Sequence, residues 1–122
     1  ERAYFRQTGI FPIMHVIVIR REVYEANRWI AQSLYKAFVE SQRRTYEDLN
    51  ETVVLKSMLP WLSAQVEQTR AEMGDDFWPY GIERTQHTLA TLLRYSVEQG
   101  LSKSLIEPQA LFAPETWEAF KI

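Results

Sequence analysis

The run IMHVIVIR at residues 13–20 is rich in β-branched side chains and almost without polar alternation, the pattern of a strand covered on both faces. Pro12 stands just ahead of it, where a missing N–H does least harm, and Gly9 marks the loop before that. From residue 22 to 46 the spacing turns helical. Val23, Ala26, Ile30, Leu34, Ala37 and Phe38 share one face, while Glu25, Arg28, Gln32, Lys36, Glu40 and Arg43 decorate the rest. A second helical region covers 51–73 and must break or kink at Pro60. Its second half carries Leu62, Val66 and Met73 and ends at Gly74, which suits a left-handed cap. The turn-rich segment 74–81 follows. A third helix over 85–99 aligns Leu89, Leu92, Leu93 and Val97, and closes at Gly100 with Leu101 placed for the hydrophobic contact of a Schellman cap. Pro108 and Pro114 open two short helical pieces, 108–112 and 114–120.

The expected fold of these residues is therefore mostly α with one buried strand. A strand covered on both faces cannot satisfy its own N–H and C=O groups, so it needs neighbours. Residues 3–6 are a poor hairpin partner across 7–9, because Pro12 and the apolar run interfere. The neighbours are expected either in polypeptide upstream of this chain or in a second copy, which would make a homo-oligomer through residues 13–20.

Composition narrows the picture. A chain of 122 residues is the size of one domain. A net charge of -2 offers no basic field, so nucleic acid and anionic membrane surfaces are not expected partners. The longest uncharged apolar run, 10–19, is about half of a membrane span. Without cysteine there is no disulfide, thiolate nucleophile or cysteine-type zinc site, and a reducing compartment is compatible; the expectation is cytoplasmic in preference to periplasmic. Because the sequence opens on Glu1, it is expected to be a single piece, 1–122, of something longer.

Candidate chemistry is sparse. GxGxxG, GxxxxGK[ST], GxSxG and HExxH are all missing from the sequence, and no cofactor is expected. His15 interrupts the apolar run and has two readings, a core histidine bonded to a carbonyl or an acid–base group that titrates near neutrality. His87 is expected at the solvated surface, and two histidines so far apart make no metal pair. The octet GDDFWPYG at 74–81 reads either as a pocket for an aromatic ligand or as a turn in which Asp75 or Asp76 caps backbone groups and the aromatics staple two helices. Arg20 ends the expected strand, where it would face an anionic ligand.

Longer words carry a resemblance. TGIFPIMHVIVIRR at 8–21, VY at 23–24 and LYKAF at 34–38 are similar to the C-terminal part of the 4,5-dihydroxyphthalate decarboxylase family. GDDFWPYG at 74–81, LRYS at 93–96, EQGLS at 98–102 and LFAPET at 111–116 resemble its closing stretch in the same order, whereas TQH at 85–87 and QA at 109–110 depart from it. The resemblance implies a C-terminal portion of a two-lobed α/β protein like the type II periplasmic binding proteins. It implies loss of carbon dioxide from 4,5-dihydroxyphthalate to give 3,4-dihydroxybenzoate, with a small aromatic carboxylate as ligand. His15 is then the candidate acid, with Thr8, Gly9 and Arg20 as candidate substrate contacts. The isolated chain is expected to be inactive, since a cleft between lobes needs both.

Two other readings stand beside this one. A solute-binding module would hold a small aromatic or carboxylated ligand without transforming it. A helical interaction domain would use residues 22–46, but their broad apolar face suits core packing better than a coiled-coil seam.

Overall fold

In the computed structural model, residues 1–54 and 56–118 are described. They form helices α1 (Arg2–Thr8), α2 (Arg21–Ala26), α3 (Trp29–Asn50), α4 (Leu62–Met73) and α5 (Ile82–Glu98), followed by 3-10 turns at Pro108–Leu111 and Pro114–Thr116.

The expected buried strand is not there. No strand occurs among the described residues, and Ile13, Met14, Val16, Ile17 and Val18 are exposed along a segment without helix or sheet. Strand propensity is largely a statement about neighbours, and the described residues provide none. Residues 3–6, the nearest candidate, are taken up in α1. Mostly α is thus correct for the described residues, while the buried strand is not, and neither an α/β layer nor a two-lobed arrangement is present among them.

Elsewhere the helical spacing is realised with shifted boundaries. The region 22–46 divides at Asn27, whose φ of -145° and ψ of 62° leave the helical basin, and its side-chain amide donates to the Val23 carbonyl oxygen at 3.4 Å. Along α3, Arg43 grips Glu40 through two bonds of 2.8 Å and Arg44 donates to it at 2.8 Å. These bonds from Arg43, then Arg44, hold the Glu40 carboxyl down to about 2. The second region is helical only from Leu62, beyond Pro60. At its end Gly74 has φ 85°, the positive φ expected of a left-handed cap, but its ψ of -178° lies outside the left-handed helical basin.

The close of α5 is a Schellman motif. The Leu101 amide donates to Ser96 O at 2.8 Å and the Gly100 amide to Val97 O at 3.0 Å, with Gly100 at φ 74°. Leu101 itself stays exposed, so the expected hydrophobic contact is missing. Pro108 and Pro114 open short turns as expected, in 3-10 form; residues 119–120 of the second piece lie outside the described residues.

Helix α3 is the spine: α2, α4 and the Pro114–Thr116 turn pack on it, and the Pro108–Leu111 turn packs on α5. Arg6 and Glu72 tie α1 to α4, with the Arg6 Nε bond at 2.7 Å, and Arg2 donates to Gln68 at 3.1 Å. Ile10, Ala31, Val66, Ile82 and Leu89 are the buried apolar side chains among the described residues. That is a thin core. The accessible surface is 9762 Å², whereas a compact monomer of 14.4 kDa exposes about 6,800 Å².

Candidate functional site

The residues singled out from sequence lie on both sides of one exposed segment. Thr8 ends α1; its hydroxyl donates to Tyr4 O at 2.8 Å and accepts the Ile10 amide at 3.1 Å, which sets the chain direction after the helix. Gly9, at φ 69° and ψ 11°, is the left-handed cap that makes this turn possible. His15 sits in the middle of the exposed segment, with neither ring nitrogen engaged among the described residues. Arg20 precedes α2, is 82% exposed and pairs with Glu22 at 3.6 Å.

His87 is exposed, as expected, yet it is not merely solvated. Its Nε2 lies 3.1 Å from the Thr8 carbonyl oxygen. A carbonyl only accepts, so Nε2 carries the proton there. The imidazole thereby joins α5 to the C-terminal end of α1, where exposed carbonyls favour a donor.

The densest polar constellation surrounds the aromatic turn 74–81, between α3 and α5. The Tyr46 hydroxyl accepts the Trp78 amide at 3.0 Å and donates to Asp76 Oδ1 at 3.1 Å. Arg84 of α5 pairs with the other Asp76 oxygen, and the Gln42 amide donates to the Trp78 carbonyl. Burial pushes the Tyr46 and Tyr35 phenols above the ordinary range. Phe77 packs against Tyr46 at 4.9 Å between ring centres, and Trp78 against Phe11 at 5.7 Å. Of the two readings of this octet, the contacts realise the staple: α3, α5 and Phe11 are drawn together through it. Asp76 does so by binding side chains rather than by capping backbone.

Tyr35, Gln42 and Tyr46 were not singled out from sequence, although a signal existed. At about 100° per residue the three fall within about 40° of one another, a polar-aromatic stripe beside the apolar face.

A second junction joins α2 to the Pro114–Thr116 turn. The Tyr24 hydroxyl donates to Glu115 at 2.7 Å, Arg28 lies 3.8 Å from the same carboxylate, and the Arg28 guanidinium sits 5.5 Å from the Tyr24 ring centre. The shared hydrogen bond raises the Tyr24 phenol and lowers the Glu115 carboxyl. Among the described residues no group of His, Asp and Glu is placed to hold a metal ion, and no helix is long and apolar enough to cross a membrane.

No protein-family model matches the chain. A curated 4,5-dihydroxyphthalate decarboxylase of Comamonas testosteroni is 34% identical over 119 residues, which is 98% of this chain. The chain spans 36% of the length of that relative. It is related in sequence to a part of that decarboxylase.

Proposed function

We propose that this chain is the C-terminal part of a longer protein that decarboxylates 4,5-dihydroxyphthalate to 3,4-dihydroxybenzoate. The observation that carries the reading is the 34% identity extending over 98% of the chain.

In the substrate each hydroxyl is para to a carboxylate. As that hydroxyl gives up its proton, its electrons enter the ring and the ring carbon bearing the carboxylate takes a proton from an acid. The C–C bond to the carboxylate then breaks, carbon dioxide leaves, and the electron pair restores the aromatic ring. The step needs one well-placed acid and cations or amides on the carboxylate that stays. His15 is the proposed acid, since its imidazole is exposed and unengaged among the described residues. Thr8, Gly9 and Arg20 are the proposed substrate contacts, Arg20 because its guanidinium is exposed beside the same segment. The remaining groups belong to the part of the protein outside this chain, and the chain alone is expected to be inactive.

The test is the longer protein with 4,5-dihydroxyphthalate. Carbon dioxide and 3,4-dihydroxybenzoate are expected in equal amounts, with kcat falling by about 10²–10⁴ in His15→Ala. Unchanged turnover in that variant removes His15 from the mechanism. Ligand binding without carbon dioxide release overturns the enzyme reading in favour of a binding protein for aromatic carboxylates.

A further inference from the structure

The proposed substrate contacts Thr8 and Gly9 stand at the end of a helix that packing does not fix in place, since none of the seven residues of α1 is buried. We propose that His87, on α5, is a positioning residue that holds the Thr8–Gly9 turn where the substrate meets it. The ligand in this role rests on the decarboxylase reading; the geometry stands without it.

Seven residues are too few for a helix to persist unaided, and α1 gains little from apolar burial, so side-chain bonds decide where it lies. Two of them run to α4, from Arg2 to Gln68 at 3.1 Å and from Arg6 to Glu72 at 2.7 Å. Both use long, exposed arginines, which hold a position loosely. The bond from His87 is of another kind. It reaches the backbone of α1 itself, Nε2 to the Thr8 carbonyl oxygen at 3.1 Å, from a short side chain with two rotatable bonds. Its own helix is anchored by the buried Ile82 and Leu89. A fixed donor therefore grips one of the carbonyls that the last turn of α1 leaves over.

What is gripped moves as a unit. The Gly9 amide donates to Phe5 O at 2.7 Å, and the Thr8 hydroxyl accepts the Ile10 amide at 3.1 Å, so displacing the Thr8 carbonyl displaces Gly9 and the start of the segment that carries His15. On the far side of the turn, Ile10 is buried and Phe11 packs on Trp78 at 5.7 Å. His87 supplies the matching hold on the near side, and without it the turn is tethered at one end. A shift of about 1 Å in groups that meet a substrate costs up to about 10²-fold in rate.

The test compares the longer protein with its His87→Leu and His87→Gln variants. Leucine removes the donor, whereas glutamine returns an N–H to the place of Nε2, and both residues suit a helix. For His87→Leu, KM for 4,5-dihydroxyphthalate is expected to rise about three- to tenfold, the worth of one such bond, with a smaller change in kcat. Where the wild type binds without turnover, Kd takes the place of KM. Hydrogen exchange at the Gly9 and Ile10 amides should quicken in His87→Leu, and His87→Gln should restore both readouts. An unchanged KM in His87→Leu, a fall in kcat alone, which would mark a mere loss of folded protein, or a His87→Gln variant no better than His87→Leu overturns the positioning role. A wild type that neither binds nor decarboxylates the substrate overturns the decarboxylase reading instead, and equal exchange rates in wild type and His87→Leu then overturn the hold on the turn as well.

Discussion

The Gly81 backbone lies directly against the Tyr35 hydroxyl, so a β-carbon at position 81 would overlap that oxygen. Gly81 also has φ 92°, a conformation costly for any side chain, and its carbonyl accepts the Thr85 hydroxyl at 2.8 Å at the start of α5. Gly81→Ala is expected to destabilise the chain by about 2–4 kcal/mol through strain and overpacking together. In urea melts, Gly81→Ala combined with Tyr35→Phe should be less destabilised than the sum of the single variants, since the overlap is relieved and the strain is not. Strict additivity would contradict the close approach.

Tyr46→Phe removes the acceptor of the Trp78 amide and the donor to Asp76 with little change in shape. The expected loss is about 1–3 kcal/mol, the cost of part-buried polar groups left without partners. Denaturant midpoints measure it, and a loss indistinguishable from zero would mean that the turn 74–81 does not staple α3 to α5.

Acid should loosen the contacts made by α1 and by α2. Arg6 holds the Glu72 carboxyl below its ordinary value, and Tyr24 does the same for Glu115. A carboxyl lowered in the folded chain stabilises it above its unfolded value of 4.5 and loses that contribution as the pH falls below it. Stability is therefore expected to fall below pH 4.5, and more gently in Glu72→Gln or Glu115→Gln. Urea midpoints at stepped pH check this. Identical acid limbs for wild type and both variants would contradict it.

Alkali should act through the phenols. Tyr24 is raised chiefly by its hydrogen bond to Glu115, and Tyr35 and Tyr46 chiefly by burial. A group raised in the folded chain stabilises it below the unfolded value of 10.0 and loses that contribution as the pH climbs through the folded value. Tyrosinate absorbance is expected to show phenols ionising above 10.0 that disappear in Tyr35→Phe and Tyr46→Phe.

The helices were legible because their pattern is local. Leu89 and Val97 fix the face of α5, and Gly100 closes it by the hydrogen bonds its position foretold. Pro60 marked the break before α4, since a proline ring acts on its own neighbours. Asn27 as a helix break went unread, because asparagine leaves the helix only when its amide finds an acceptor such as Val23 O. Residues 13–20 misled for the complementary reason. Their β-branched composition records a preference for burial against neighbours, and the neighbours lie outside what these residues can specify. The bond between His87 and Thr8 had no sequence signal, for it depends on how α5 lies against α1.

The central proposal is that this chain is part of a longer protein with decarboxylase activity, and substrate labelled with carbon-13 in its carboxylates tests it most directly. The longer protein, followed by NMR, is expected to release one labelled carbon dioxide per 4,5-dihydroxyphthalate and to retain the second label in 3,4-dihydroxybenzoate, while the isolated 122 residues release none. Labelled substrate that binds the longer protein and is recovered intact would contradict the account.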